Sequence, residues 1–410
     1  MRKTIVVGGG AAGMMAAISA AECGDSVILI EKNKYLGAKV IISGGGRCNV
    51  TTGLTDVRKV IENYPRGKKF LMSAISKFPP EKVMEWFENE GIRLKVEKDL
   101  RVFPVSDNGK DIVGALERKL RELEVEILFG EGVKNISKNG LKFEVELSSG
   151  DKIEGDKVVL ACGGNAYRHT GSSGDGYAWA MKLGHSITKL APSLNSFITA
   201  EKWVKEVSGI SFQDAKICLV SFDGKRKFEK RGPILFAHFG VTGPAVFAVS
   251  AEAAHENYSM SEPMKLRLNL FPDENFDLIE KKIMDVISQN SKKNLVNILN
   301  LFLPKSLCET LCFVYGLNAE KKGAEISKDD RKKMVRMMCE IELNVVGRGA
   351  GDEFVTCGGV ELDEVNGSTM ESKICPGLYF AGEILDIDGV TGGFNLQAAW
   401  STGKQAGISF

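Results

Sequence analysis

The segment Thr4-Ile5-Val6-Val7-Gly8-Gly9-Gly10-Ala11-Ala12-Gly13 limits what this chain can fold into more than any other stretch. Thr4 to Val7 is a β-branched run suited to a buried parallel strand. Gly8, Gly10 and Gly13 then occupy the three positions of G-x-G-x-x-G, and the Ala- and Met-rich residues through Glu22 favour a helix. A second strand, Ser26 to Ile30, ends at Glu31. Each part has a physical reason. Gly8 permits a tight turn, Gly10 lets a pyrophosphate approach the backbone, and Gly13 lets helix pack on strand. Ala11 and Ala12 open the helix, whose free N–H groups and dipole attract phosphates. Glu31 is placed to accept from ribose hydroxyls and to disfavour a 2′-phosphate. Together they predict an α/β domain that binds a dinucleotide.

The same segment settles how the N-terminus reads. Arg2 and Lys3 before an apolar stretch imitate a secretory signal, but Gly8, Gly9, Gly10 and Gly13 break the run. No apolar run of about 18 residues exists to span a bilayer. We therefore expect a cytoplasmic protein with no membrane partner. Glycine is abundant, 45 of 410 residues against 11 prolines, and follows no period, which points to tight turns and close approaches rather than a flexible linker. The formal net charge is +1, from 54 Lys+Arg and 53 Asp+Glu, and basic clusters are short and mixed with acids. This balance argues against a nucleic-acid partner. The nine cysteines include no C-x-x-C motif. Cys308 and Cys312 lack a second pair to complete a metal site, so no metal is expected.

The second strand leads not into another crossover helix but into Lys32 to Thr52, which carries Lys39 and the run Ser43-Gly44-Gly45-Gly46-Arg47-Cys48-Asn49. Three consecutive glycines do not suit the middle of a helix or strand. They predict a backbone wrap, with donors from Arg47, Asn49, Thr51 and main-chain N–H groups, that clasps the second half of a cofactor. This favours a flavin over a nicotinamide. Further on, Glu126 to Phe129 reads as another parallel strand, and a β-meander from Val133 to Glu154 feeds the strand Lys157 to Cys162. That strand delivers Ala161, Gly163 and Gly164 as a second contact. The strand at Leu378 to Phe380 delivers Gly382 and Glu383 to the ribityl and pyrophosphate side. Gly389 to Gln397, including Gly392, Gly393, Asn395 and Leu396, then opens a final helix whose N-terminus is suited to the flavin's pyrimidine edge.

These motifs resemble the BaiN/YhiN-type family of FAD-dependent flavoproteins, also described as aminoacetone-oxidase-like, over nearly the whole chain. The resemblance rests on Gly8 to Gly13, Ser43 to Asn49, Arg101 to Pro104, Thr170 to Tyr177, His238 to Pro244, Thr369 to Lys373 and Tyr379 to Ala399. Asn165-Ala166-Tyr167-Arg168 departs from the usual Ser-Tyr-Pro, and Thr52 stands where Asn is common. The resemblance implies a discontinuous FAD domain at 1–190 and 345–410. It also implies a β-barrel-like domain at 191–270 and 335–344, and a helical insertion at 271–334.

A flavin carries two-electron chemistry itself, so the protein's task is to orient substrate and tune the ring. The resemblance implies reduction of an unsaturated or keto small molecule by NAD(P)H through flavin N5. An amine oxidase using oxygen and a non-catalytic flavin-stabilised binding protein are the alternatives. His238 is a candidate general acid or a packing histidine, and Tyr167 and Arg168 are candidate substrate contacts. Cys48, lacking a resolving partner, reads as structural, and Asp386 and Asp388 read as caps beside a Gly-rich turn. The stretch Gly347 to Asp352 imitates a second fingerprint but lacks its last glycine, so no separate NAD(P)H lobe is expected.

Overall fold

Five short strands, buried except at the edge strand Glu126–Phe129, lie side by side in the computed structural model, which describes residues 1–349 and 355–408. They are β1 (Lys3–Val7), β2 (Ser26–Glu31), β3 (Glu126–Phe129), β4 (Lys157–Leu160) and β5 (Leu378–Phe380). Their order is β5-β4-β1-β2-β3 and every pair is parallel. Between β1 and β2 runs helix α1 (Ala11–Glu22), after β4 comes α2 (Asp175–Lys182), and after β5 the final helix α3 (Phe394–Gly407). Strand order reverses between β1 and β4, and open α/β sheets bind ligands at that point, outside the carboxyl ends of the strands. Val7 pairs with both Ile30 and Leu160, and Leu160 with Phe380. Gly8, Ala161 and Ala381 therefore leave the sheet at one level, beside Glu31 at the end of β2.

Helix α3 lies directly against α1. A Cβ on Gly403 would sit 2.4 Å from the Ala12 carbonyl oxygen, and one on Gly407 2.4 Å from that of Ala16. The expected meander is present as Val133–Asn139, Lys142–Leu147 and Lys152–Gly155, all antiparallel. A small sheet joins Thr51–Thr52, Arg101–Pro104 and Leu94–Val96.

By its contacts the chain divides into Met1–Ser193 with Asp352–Phe410, and Leu194–Gly351. The second unit is built on a closed six-stranded barrel with the order Phe197–Thr199, Gly240–Thr242, Lys227–Ala237, Ser211–Val220, Met264–Asn269, Ile341–Arg348. Alternate residues such as Ile217, Leu219, Leu266, Leu268, Leu343 and Val345 fill its core. Its third and fourth strands form one hairpin, from Val220 opposite Lys227 to Ser211 opposite Leu235, with a register shift between Phe212 and Ala215. Four helices follow the barrel's fifth strand or precede its last: Phe276–Gln289, Leu295–Leu299, Lys305–Val314 and Lys328–Cys339. Pro304 caps the third. Gly347 and Arg348 belong to a barrel strand rather than a phosphate turn, while 350–354 lie outside the described residues. No helix among the described residues is long and apolar enough to cross a membrane.

Candidate cofactor-binding site

Local sterics build the first wall. The Gly8 N–H donates to the Ile30 carbonyl at 2.9 Å, turning the chain sharply off β1. A Cβ on Gly13 would lie 1.8 Å from the Gly8 oxygen, so only glycine lets α1 start this close to the strand. Gly10 is the opposite case. It caps α1 with no side-chain hydrogen bond, and no heavy atom lies within 4 Å of where its Cβ would point. The helix start is therefore open, with unneutralised N–H groups. Glu31 is 8 % exposed. Its Oε2 accepts from the Gly9 N–H at 2.7 Å and its Oε1 from the Asn33 N–H at 2.8 Å. A carboxylate has about four lone-pair sites, so capacity for a ribose hydroxyl remains after these bonds.

The second wall is a polar network at the ends of β4 and β5. Glu383 accepts from the Thr356 N–H at 2.9 Å through Oε1 and from Lys39 Nζ at 3.0 Å through Oε2. Lys39 also donates to Ser172 Oγ at 3.1 Å, and Ser172 donates to the Gly164 carbonyl at 3.0 Å. Thr356 Oγ1 in turn accepts from the Asn165 N–H at 2.7 Å. Gly163, with φ of 74°, makes the bend that admits this arrangement. Lys32 bonds Ser173 and pairs with Asp175 at 2.9 Å, where α2 begins. The network joins Lys39, Gly164 and Glu383, each singled out in the sequence, to Ser172 and Thr356, which were not. Ser172 stood inside a recognisable Gly-rich motif, but Thr356 sits on a short strand with no local signal.

The third wall is the clasp and the start of α3. Gly44, Gly45 and Gly46 are exposed, with φ of 57°, 72° and 88°. The Cys48 N–H closes the wrap onto the Ser43 carbonyl at 2.9 Å. The side chains expected to serve as donors have other partners. Arg47 lies 3.8 Å over the Phe103 ring and pairs with Glu97 at 2.7 Å. Asn49 Oδ1 accepts from the Val102 N–H at 3.2 Å, and Thr51 donates to Gln397. They anchor the clasp, leaving its exposed glycine backbone as the part that faces outward. Burial pushes the Cys48 and Cys162 thiols up to about 12, so neither is a ready nucleophile.

Gly393 caps α3 with φ of 91° and no side-chain bond, giving a second helix start without a side-chain cap, packed so closely that a Cβ on Gly393 would lie 2.3 Å from Thr51 O. Asn395 makes a reciprocal pair with the main chain of Gly389, at 2.8 and 2.7 Å. The fully buried Gln397 side chain donates to Phe78 O and Ser401 Oγ, so it ties the helix down from within. Leu396 packs partly buried against the core. The approach loop is held from afar. Tyr64 donates to the Phe394 carbonyl at 2.7 Å, and Arg66 pairs with Asp388, which also accepts from Ser193 at 2.6 Å. Asp388, read as a cap, is instead a fully buried ion partner whose carboxyl is raised by desolvation against the pull of Arg66. Tyr64 and Arg66 carried no sequence signal, since their partners lie more than 300 residues away.

The candidate catalytic residues are not gathered into one unit. Tyr167, at φ of 56°, stands against His169 with ring centroids 5.7 Å apart, and Arg168 is exposed beside it. His238 lies in the barrel unit, exposed in the turn after Lys227–Ala237, edge-on to Phe239 at 5.0 Å. Val133 begins the meander opposite Leu147, half-buried.

The donor set fits FAD. An open glycine helix start, an acid at the end of β2, a polar network at the switch point and a second helix start without a side-chain cap occur in one unit. Fold and site together define an FAD-dependent oxidoreductase built on a Rossmann-type domain. The chain belongs to the family described as HI0933-like protein Rossmann domain, matched over residues 2–409. It is 29 % identical over 411 residues to a 3-dehydro-bile acid delta(4,6)-reductase of Clostridium scindens, covering 99 % of this chain and 98 % of that one. It is also 28 % identical to a ribosomal RNA dihydrouridine synthase of Escherichia coli, covering 97 % and 95 %. Among solved structures, a 3-ketosteroid-delta4-(5alpha)-dehydrogenase from Rhodococcus jostii RHA1 shares the fold, with a TM-score of 0.51 at 16 % identity over 100 % and 96 % of the chains. The name of the E. coli relative leaves the expected absence of a nucleic-acid partner undecided. A near-neutral charge does not by itself set nucleic acid aside, because overall charge averages over surfaces that a partner never touches.

Proposed function

We propose that this protein reduces a carbon–carbon double bond conjugated to a carbonyl, using FAD and electrons from NAD(P)H. One observation carries the reading. Two relatives matched over nearly their whole length have unlike substrates, yet their names describe one chemical step. A delta(4,6)-reductase of a 3-dehydro bile acid saturates an enone, and a dihydrouridine synthase saturates the C5–C6 bond beside a pyrimidine carbonyl. Bound FAD supplies the hydride-transfer chemistry that such a step needs.

The chain's own residues supply the binding. Gly8, Gly10 and Gly13 with the start of α1 would hold the pyrophosphate, and Glu31 the adenosine ribose. Lys39, Gly164 and Glu383 would hold the middle of the cofactor. The uncapped start of α3 at Gly393 would favour negative charge on the neighbouring ring edge. No second dinucleotide fingerprint is complete in the sequence, so NAD(P)H would bind transiently from solvent.

Anaerobic stopped-flow mixing of the FAD-loaded protein with NADH, NADPH or aminoacetone tests this. The expected result is bleaching by a reduced nicotinamide, then reoxidation by 2-cyclohexenone, a 4-en-3-one steroid or a uridine-containing ribosomal RNA fragment. Bleaching by aminoacetone, with peroxide formed once oxygen is admitted, or bleaching by no donor at all, overturns it.

A further inference from the structure

Two side-chain atoms beside the Glu383 network are buried without a hydrogen-bond partner, Asn165 Oδ1 and Tyr177 OH. Tyr177 is only 6 % exposed, and burial drives its phenol well above the ordinary range. The two residues converge: a Cβ on Gly174 would lie 3.4 Å from the Tyr177 ring and 3.5 Å from Asn165 Oδ1. Leaving a buried polar atom unsatisfied costs about 1–3 kcal/mol, so two such atoms on residues that both border Gly174 call for a partner from outside the chain.

Position and chemistry say which part of a ligand does so. A Cβ on Gly8 would sit 2.7 Å from Ala161 O and 2.8 Å from Cys162 Cα, so the end of β4 borders the pyrophosphate turn. From there the chain passes Gly163 and Gly164 and reaches Asn165, whose N–H is bonded to Thr356 and through it linked to Glu383. The part of FAD that follows the pyrophosphate toward the ring is the ribityl chain. It carries three hydroxyl groups, each able to donate and accept. Asn165 Oδ1 is an acceptor, and a tyrosine hydroxyl works in either direction.

We propose that Asn165 and Tyr177 hydrogen-bond the ribityl hydroxyls of FAD. This rests on the flavoprotein reading above and extends it to two residues outside the glycine motifs. The test is a binding cycle on the full chain. Apoprotein of the wild type, Tyr177→Phe and Asn165→Ala is titrated with FAD and with FAD analogues that each lack one ribityl hydroxyl, followed by flavin fluorescence. Each variant should lose about five- to tenfold in FAD affinity, as expected for one hydrogen bond. Against the analogue lacking its partner hydroxyl, each variant should bind as well as the wild type does. Unchanged melting of the apoproteins shows that the loss is not a folding defect. Equal losses on FAD and on every analogue, or no loss at all, overturn this inference while leaving FAD binding intact. Failure of the wild-type chain to bind FAD overturns the cofactor reading and this one together.

Discussion

Helices α1 and α3 both begin at a glycine with no side-chain cap, yet the chain holds the two starts in place by different means. The α1 start is fixed by main-chain sterics within six residues, Gly8 to Gly13. The α3 start shares one such main-chain approach, a Cβ on Gly393 falling 2.3 Å from Thr51 O, but is otherwise held by side chains from far away: Tyr64 on Phe394, Thr51 on Gln397, and Arg66 with Ser193 on Asp388. A turn that depends on the absence of side chains tolerates nothing added. A loop that depends on buried polar pairs is weakened by anything removed.

Adding a methyl at Gly13 breaks the first arrangement outright. Gly13→Ala would place a carbon 1.8 Å from the Gly8 oxygen, and we expect about 3 kcal/mol or more of destabilisation with no retained FAD, read by urea unfolding and flavin content. The second arrangement breaks at Arg66. Arg66→Leu leaves the buried Asp388 carboxylate without its cation, a change that costs about 3–5 kcal/mol. The double variant Arg66→Leu/Asp388→Leu should recover much of that loss, because the uncompensated charge is gone. A recovery of nothing would mean that the pair is not what anchors the loop.

Gly10→Ala sharpens the contrast from the other side. Its Cβ would enter open space at an ordinary φ of −81°. Stability should stay within about 0.5 kcal/mol while FAD affinity falls at least tenfold, as titration of the apoprotein would show. Equal affinity would mean that the pyrophosphate does not approach this residue.

The smallest effect is a pH dependence on the far side of β5. Ser372 Oγ accepts from the N–H groups of Ile374 and Cys375, so its own proton must go to His185 Nε2, 2.7 Å away. His185 Nδ1–H then donates to Glu364 at 3.0 Å. Neutral histidine suits this chain of bonds, and burial lowers its pKa against the opposing effect of Glu364. Because the folded value lies below the unfolded one, the contribution is complete above the ordinary histidine range and is lost as pH falls through the folded value. Melting curves across mildly acidic pH should show a drop of about 1 kcal/mol or less. His185→Gln should flatten that slope.

Legibility in the sequence followed the range of the interaction. The parallel strands, the Gly8–Gly13 turn and the Gly44–Gly46 wrap were readable because each depends on neighbours in the chain. Glu383 was readable from its strand and flanking glycine. Thr356, Ser172, Tyr64 and Arg66 were not, because nothing near them in sequence announces a partner that arrives by folding. The same reason accounts for Asp388, which looks like a turn cap beside Gly389 and becomes a buried ion partner once Arg66 is brought to it. Arg47, Asn49 and Thr51 have the right chemistry to hold a cofactor, and folding also engages them with Glu97, Val102 and Gln397.

By itself the sequence determined where the backbone must bend or come close, since a missing Cβ is a local property that no distant contact supplies. Tertiary structure alone decided which polar groups are spent within the protein and which are left for a ligand. A hydrogen bond between residues hundreds of positions apart has no periodicity, spacing or composition to reveal it before the chain has folded.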